Sequence, residues 1–283
     1  MIRCQPALGT FVEIEACPSE QASNSDNDKV LIYAIDQAFA AVQTAQSCMS
    51  VFDSKSDLSQ INQGKFFKQA GSIHPWLWQV LKLAKEIHAL SPAFDPSATI
   101  ALTLQGIRPQ IDHTSEAHLG GIDDVILLDD HRLLTRSPVY LDLGGISKGA
   151  AVDRAIDALK SHGVKSGSVN AGGDLRVFGA QAHPIYIRRP SSPQNTICIG
   201  KLQDGAMATS GDYFASQSHD AHLPAGHLIN PEYGRPIHTK KSFSVIAPLC
   251  AVADALTKVF AITGNAQHPA IRHFDAQAIE VTT

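Results

Sequence analysis

Several stretches of this chain combine residue types that can hold or move charge. Leu141-Asp142-Leu143-Gly144-Gly145-Ile146-Ser147-Lys148-Gly149 runs from an apolar stretch into a glycine turn and then into the amphipathic AAVDRAIDALKSHG. Such a turn lets backbone N–H groups approach an anion, and the helix behind it adds positive partial charge. Lys148 then stands where an ammonium could meet a phosphate oxygen. The spacing matches neither the P-loop nor the dinucleotide-binding glycine fingerprint. Read alone, it fits a phosphate cradle and a glycine turn with a solvated lysine equally well. Asn170-Ala171-Gly172-Gly173-Asp174 is a second glycine bend, which alone reads as a tight turn. Ala208-Thr209-Ser210-Gly211-Asp212-Tyr213 gathers hydroxyls and an acid around one glycine, and His227 opens the loop His227-Leu228-Ile229-Asn230-Pro231.

Asp254 lies inside the apolar run Ala251 to Thr263, where an acid is costly unless paired, solvated or metal-bound. Residues three and four apart are neighbours on a helix, so Asp254, Thr257 and Lys258 share one face. A carboxylate and a hydroxyl there could hold Mg²⁺, a hard cation that prefers oxygen. An Asp254–Lys258 helix ion pair, worth about 0.2–0.5 kcal/mol, accounts for the same residues without a metal.

The elements that must position these groups are partly visible in the periodicity. Gly9 to Ala16 alternate apolar and acidic or polar side chains, the period of a half-buried strand. Residues 17–28 are polar and turn-rich and read as a surface loop. Val30 to Val51 and Pro75 to Leu90 carry apolar residues at helical spacing, the second with proline at its first turn. Short strands are expected at Val125–Leu128, Val139–Leu143, Ser168–Asn170, Ile185–Arg188 and Ser242–Ile246, and helices at Ala150–His162 and Ala251–Thr263. The irregular alternation favours a mixed α+β fold over a doubly wound parallel sheet.

Composition narrows the function classes. The 283 residues carry 23 Lys+Arg against 27 Asp+Glu, a net charge of −4 that argues against broad nucleic-acid binding. No run reaches the ~18 apolar residues of a membrane span. The five cysteines are scattered and form no CxxC, which favours reduced thiols over a disulfide framework or zinc site. Met1 to Pro6 has no apolar core of a signal peptide, so a cytoplasmic location is expected.

Taken in order, the motifs resemble those of the ApbE family of FAD:protein FMN transferases. They read Leu8-Gly9-Thr10, Met49-Ser50-Val51-Phe52-Asp53, Ser56-Asp57-Leu58-Ser59-Gln60-Ile61-Asn62, Phe94-Asp95-Pro96, Asp142 to Gly149, Asn170 to Asp174, Thr209 to Tyr213, His227 to Pro231 and Ala253-Asp254-Ala255-Leu256. Eight motifs in the right order, the two segments between Met49 and Asn62 counting as one, span Leu8 to Gly264 and are hard to obtain by chance. The resemblance implies one α+β domain over residues 1–283, with FAD in a cleft between two intimately packed halves and Mg²⁺ at its pyrophosphate. It implies transfer of FMN to a threonine hydroxyl of an acceptor flavoprotein (a membrane redox subunit is one candidate), with release of AMP.

By the same resemblance, Asp254, the Gly145 carbonyl and Thr257 would hold the metal. Leu8, Phe52, Ala93, Phe94, Asp95, Asp142, Lys148 and His227 would contact FAD. The threonine must lose a proton, and Asp212 and His227 are the candidate bases. The chain departs from the family pattern in three ways. Lys258 stands where many relatives have the metal-site threonine, Leu104-Gln105-Gly106-Ile107 replaces an aromatic segment, and no lipoprotein leader is seen. Competing readings are an FAD pyrophosphatase, with water replacing threonine, and a non-catalytic flavin-binding protein.

Overall fold

The computed structural model describes residues 1–17, 24–98, 119–190, 192–211, 228–237 and 239–282. Strands β1 (Ile2–Ala7) and β2 (Thr10–Cys17) form a hairpin whose turn, Leu8 and Gly9, has positive φ at both residues. Val12, Ile14 and Ala16 of β2 point into the core while Glu13 and Glu15 point away, the alternation that pleating imposes. From β2 the sheet continues antiparallel through β6 (Ser166–Ala171), β7 (Asp174–Phe178), β10 (Gly205–Gly211), β13 (Ser242–Ala247) and β14 (Gln277–Val281). A smaller sheet joins β3 (Gly71–Ser72), β5 (Arg132–Thr135) and β4 (Val125–Leu128) in that order, and β8 (His183–Arg189) pairs with β9 (Ser192–Leu202). The short strands β11 (Ile229–Asn230) and β12 (Arg235–Pro236) form one further hairpin.

Helix α1 (Asn24–Met49) begins inside the stretch expected to be loop, six residues ahead of the apolar periodicity at Val30. Helix α2 (Asp57–Asn62) is capped by Ser56, whose Oγ accepts from the Ser59 N–H at 2.9 Å. Helix α3 (Pro75–Leu90) has proline at N1 and the His74 ring accepting from the Trp76 N–H. Helices α4 (Ser147–Ser161), α5 (Cys250–Thr263) and α6 (Pro269–His273) follow. The mixed helix and sheet content is that of an α+β protein.

Two buried clusters meet along α4. Its Val152, Ala155, Ile156 and Leu159 pack with Ile35, Ala38 and Val42 of α1 over Val12, Ile14 and Val169 of the sheet. Its Ala150 and Ala151 join a second cluster with Leu77 and Leu81 of α3, Leu58 and Ile61 of α2, and Val252, Leu256 and Val259 of α5. The N-termini of α4 and α5 are pressed together. A Cβ on Gly149 would lie 2.3 Å from the Cys250 carbonyl oxygen, so only glycine permits that approach. Asp153 of α4, 4% exposed, caps α5 by accepting from the Cys250 and Ala251 N–H groups at 2.9 Å each. Burial raises its pKa, and the Arg176 guanidinium at 2.8 Å opposes that rise.

Among the described residues, the stretch Val139–Leu143, expected as a strand, joins no sheet, and one bridge runs from Val139 to Gly120. Its backbone groups are satisfied otherwise: Leu141 N–H donates to Asn62 Oδ1 at 2.8 Å and Asn62 Nδ2 donates to the Leu141 carbonyl at 2.9 Å. One side-chain amide thus supplies the two bonds that a neighbouring strand would have made.

Candidate functional site

A cleft of about 540 Å³ opens where the sheet ends meet the first turn of α4 and the middle of α5, a volume ordinary for a small-ligand site. It is lined by Leu8–Thr10 of the β1–β2 turn, Ala93–Pro96, Asp142, Gly144 and Gly145, Lys148, Gly172, Thr209–Gly211 and Lys258, with Leu228, Ile229 and Pro231 on the remaining side. At Gly172 φ is +64° and a Cβ would lie 2.7 Å from Thr10 Oγ1, so the glycine serves both the turn and the close approach.

The walls are set by local hydrogen bonding. Asp142 Oδ1 accepts from the Gly144 N–H at 2.7 Å, which folds the chain into the bend that opens α4. Asp142 N–H donates to the Pro96 carbonyl at 2.9 Å, tying that bend to the turn at Phe94–Asp95. Asp95 Oδ1 in turn accepts from the Ser97 N–H and hydroxyl at 2.8 Å each. Asn62 is therefore a positioning residue at one remove from the cleft. Asn62→Ala is expected to leave the Leu141 N–H and carbonyl buried without partners. The expected cost is about 1–3 kcal/mol in urea unfolding, with a weaker hold on ligands at Asp142. Stability equal to wild type would contradict that role.

Two ion pairs dominate the electrostatics. Lys148 donates to Asp174, which is 2% exposed, and Lys258 donates to Asp254, which is fully buried. Burial works to lower the Lys148 pKa, but the Asp254 and Asp174 carboxylates outweigh it and hold it above the ordinary lysine value. Burial likewise works to raise Asp254, and the ammonium groups of Lys258 and Lys148 outweigh it and hold the carboxyl below its usual range. Burial pushes Asp174 up to about 6, reinforced by the charge on Asp254 and opposed by Lys148. Folded Asp174 thus keeps its proton more tightly than the unfolded chain does. Its contribution to stability is complete below about pH 4 and is lost as the pH rises through about 6. Between about pH 4 and pH 7, wild type is expected to lose on the order of 1–3 kcal/mol relative to Asp174→Asn. Urea melts at the two pH values measure this, and a gap that stays constant would contradict it.

The residues singled out in the sequence distribute unevenly. Leu8, Ala93, Phe94, Asp95, Asp142, Gly145 and Lys148 line the cleft. Phe52 does not: it is 68% exposed and outside the lining. Asp212 and His227, like Leu104 to Ile107, fall outside the described residues. Asp254 and Thr257 are both fully buried behind the lining rather than in it. Thr257 Oγ1 donates to the Asp254 carbonyl at 2.7 Å and shares a 2.7 Å hydrogen bond with Ser210 Oγ.

The donor set expected for Mg²⁺ does not fit a divalent ion as it stands. Asp254 Oδ1 is taken by the Lys258 ammonium and Oδ2 accepts from the Gly149 N–H at 3.2 Å. Gly145 faces the same side chain, since a Cβ there would lie 3.3 Å from Lys258 Cε. Among the described residues no group of three or more His, Cys, Asp or Glu could hold a metal. The expected ion site is occupied by a lysine.

Sequence reasoning passed over Asp174 as a partner for Lys148, and over Asn62 and Asp153. Asp153 could have been found as Asp254 was, as an acid on the inner side of an amphipathic helix. Asn62 carries no such signal, because its role depends on a stretch far away in sequence.

These features define an α+β chain with a cleft that takes one lysine from the first turn of α4 and another from the middle of α5. The model of the ApbE family matches residues 8–282. The chain belongs to that family. It is 28% identical over 282 residues to the FAD:protein FMN transferase of Vibrio cholerae serotype O1, covering 94% of this chain and 82% of that protein. It is 27% identical to the enzyme of the same name from Haemophilus influenzae, covering 80% and 71%. Among solved structures, the flavin transferase ApbE from Vibrio cholerae superposes with a TM-score of 0.76 at 25% identity, covering 99% of this chain and 92% of that one. The ApbE protein from Thermotoga maritima gives 0.75 at 25% identity, covering 98% and 93%.

Proposed function

We propose that this chain transfers the FMN half of FAD to a threonine hydroxyl of an acceptor flavoprotein and releases AMP. The observation that carries the reading is the cleft in which Lys148, Lys258 and the Gly144–Gly149 bend converge, in a chain whose relatives are named for this reaction. The threonine oxygen forms a bond to the FMN-side phosphorus, the bond from that phosphorus to the bridging oxygen breaks, and the hydroxyl proton passes to a base. Asp212 and His227 are the proposed bases. Charge develops on the phosphoryl oxygens and on the departing AMP, and ammonium groups held there beforehand lower that barrier electrostatically.

In this reading, the diphosphate lies against Gly144 and Gly145 at the positive end of α4, where Lys148 neutralises it. Leu8, Ala93, Phe94, Asp95 and Asp142 form the walls against the flavin and adenine ends. Asp254 and Thr257, two of the residues the resemblance assigns to Mg²⁺, are engaged by Lys258, by the Gly149 N–H and by each other. The reaction is assigned to a reducing compartment such as the cytoplasm, which suits five free cysteines. Among the described residues no helix is long and apolar enough to cross a membrane.

The test is incubation with FAD and a threonine-bearing acceptor flavoprotein, following AMP release and acceptor mass. The expected result is equal amounts of AMP and FMN-modified acceptor. AMP without acceptor modification would replace this reading with FAD hydrolysis, and neither product with bound FAD would leave only a binding protein.

A further inference from the structure

We infer that the Lys258 ammonium is the built-in cation of the cleft, taking at the FAD diphosphate the place that the family resemblance assigns to Mg²⁺. The inference rests on the FAD reading above. Its geometry comes from three elements. Lys258 Nζ donates to the Asp254 carbonyl at 3.0 Å and to the Asp254 carboxylate, so it is anchored on both acceptors that residue offers on that side. An ammonium has three donors, which leaves one for a ligand. Asp254 is fully buried and outside the lining, whereas Lys258 is in the lining, with its side chain 20% exposed. A ligand phosphate entering the cleft therefore meets the ammonium before the carboxylate.

The stem is placed as deliberately as the head. Gly145 has no side chain, and a Cβ there would stand 3.3 Å from Lys258 Cε and 3.5 Å from Phe94 Cε2. The lysine thus lies along the glycine bend, close to where the bend would receive phosphate oxygens. For a divalent ion to sit on Asp254, it would have to displace Lys258 from Oδ1 and leave an ammonium beside a like charge. Thr257 cannot simply turn to help, since its hydroxyl is held between the Asp254 carbonyl and Ser210. Lys148 faces the opposite carboxylate, Asp174, so the two lysines approach the cleft from separate helices, each backed by a buried acid.

The experiment is a titration of the full-length protein with FAD, read by flavin fluorescence, in excess EDTA and in millimolar MgCl₂. For wild type the affinity is expected to differ by less than about threefold between the two conditions. Lys258→Thr is expected to bind FAD about tenfold or more weakly in EDTA and to recover much of that loss in MgCl₂, because Asp254 is then free for the metal. Thermal melts without FAD give a second readout, using Mg²⁺ alone. Wild type is expected to shift by less than about 1 °C, and Lys258→Thr to rise by several degrees. A larger Mg²⁺ gain in wild-type affinity would overturn the inference, as would a Lys258→Thr variant that binds FAD in EDTA as tightly as wild type. If Lys258→Thr does not fold, the two wild-type arms decide the matter alone. Wild type that binds no FAD in either condition would instead refute the functional reading on which this inference stands.

Discussion

Lys148→Met is expected to lower flavin transfer by about 10²–10³-fold and to destabilise the FAD-free protein by about 3–5 kcal/mol. The two effects have one origin. The methionine fills similar space, but Asp174 loses its partner while remaining 2% exposed, and Asp254 loses one of the two ammonium groups that hold it ionised. Removing one member of a buried pair costs more than the pair itself contributes, because the other charge stays desolvated. In the cleft, the same substitution removes the cation that α4 presents beside the glycine bend. Initial rates with saturating acceptor and urea melts measure the two parts separately. Lys148→Arg should restore most of the stability and less of the rate, since guanidinium geometry differs from that of a point-like ammonium. A Met variant with wild-type transfer would remove Lys148 from the chemistry.

Gly149→Ala is the second large effect. The new methyl would sit 2.3 Å from the Cys250 carbonyl oxygen and 2.8 Å from Ala251 Cα, and both neighbours are backbone. Neither can rotate away, so α4 and α5 must part. Overpacking of this kind costs roughly 1–3 kcal/mol, and rigid neighbours put this site at or beyond the upper end. Parting the helices also stretches the 3.2 Å bond from Gly149 N–H to Asp254 Oδ2 and disturbs the Asp153 cap on α5. Lys148 and Lys258 are carried on those two helices, so their separation in the cleft changes with the crossing. Transfer is expected to fall by about tenfold or more even in the folded fraction. Thermal melts and rates corrected for folded protein check this, and an alanine variant as stable as wild type would contradict the packing.

How far the sequence could be read depended on whether a signal was local. Helix α3 was legible to the residue, because Pro75 and the 3.6 period both lie within it. Strand β2 was legible by alternation. Strand β10 was not: Gly-Ala-Met-Ala-Thr-Ser-Gly lacks the bulky β-branched and aromatic residues of a typical strand, yet it is an interior strand between β7 and β13. Its small residues let α5 lie close, as the joint burial of Ala208 with Leu256 and Val259 reflects. Val139–Leu143 had strand composition but found its backbone partners in Asn62 and Pro96, a tertiary arrangement that no window of sequence contains.

The site divides in the same way. The glycine bend, Lys148 and Asp254 were visible as residue types out of place in their surroundings. The ion pair at Asp254 and Lys258 was visible too, but as the plain alternative to a metal, and the geometry is that of the alternative. Phe52 matched a motif and yet lies exposed outside the cleft lining, because a motif position conveys type and order but not the direction of a side chain.

Phosphate recognition in the cleft is tested most directly by a comparison of FAD with riboflavin. The two share the isoalloxazine and ribityl groups, and only FAD carries the diphosphate. Equilibrium titration is predicted to give FAD an advantage of about 100-fold or more over riboflavin in wild type, shrinking to about tenfold or less in Lys148→Met. Riboflavin binding as tightly as FAD, or an FAD advantage untouched by loss of Lys148, would contradict it.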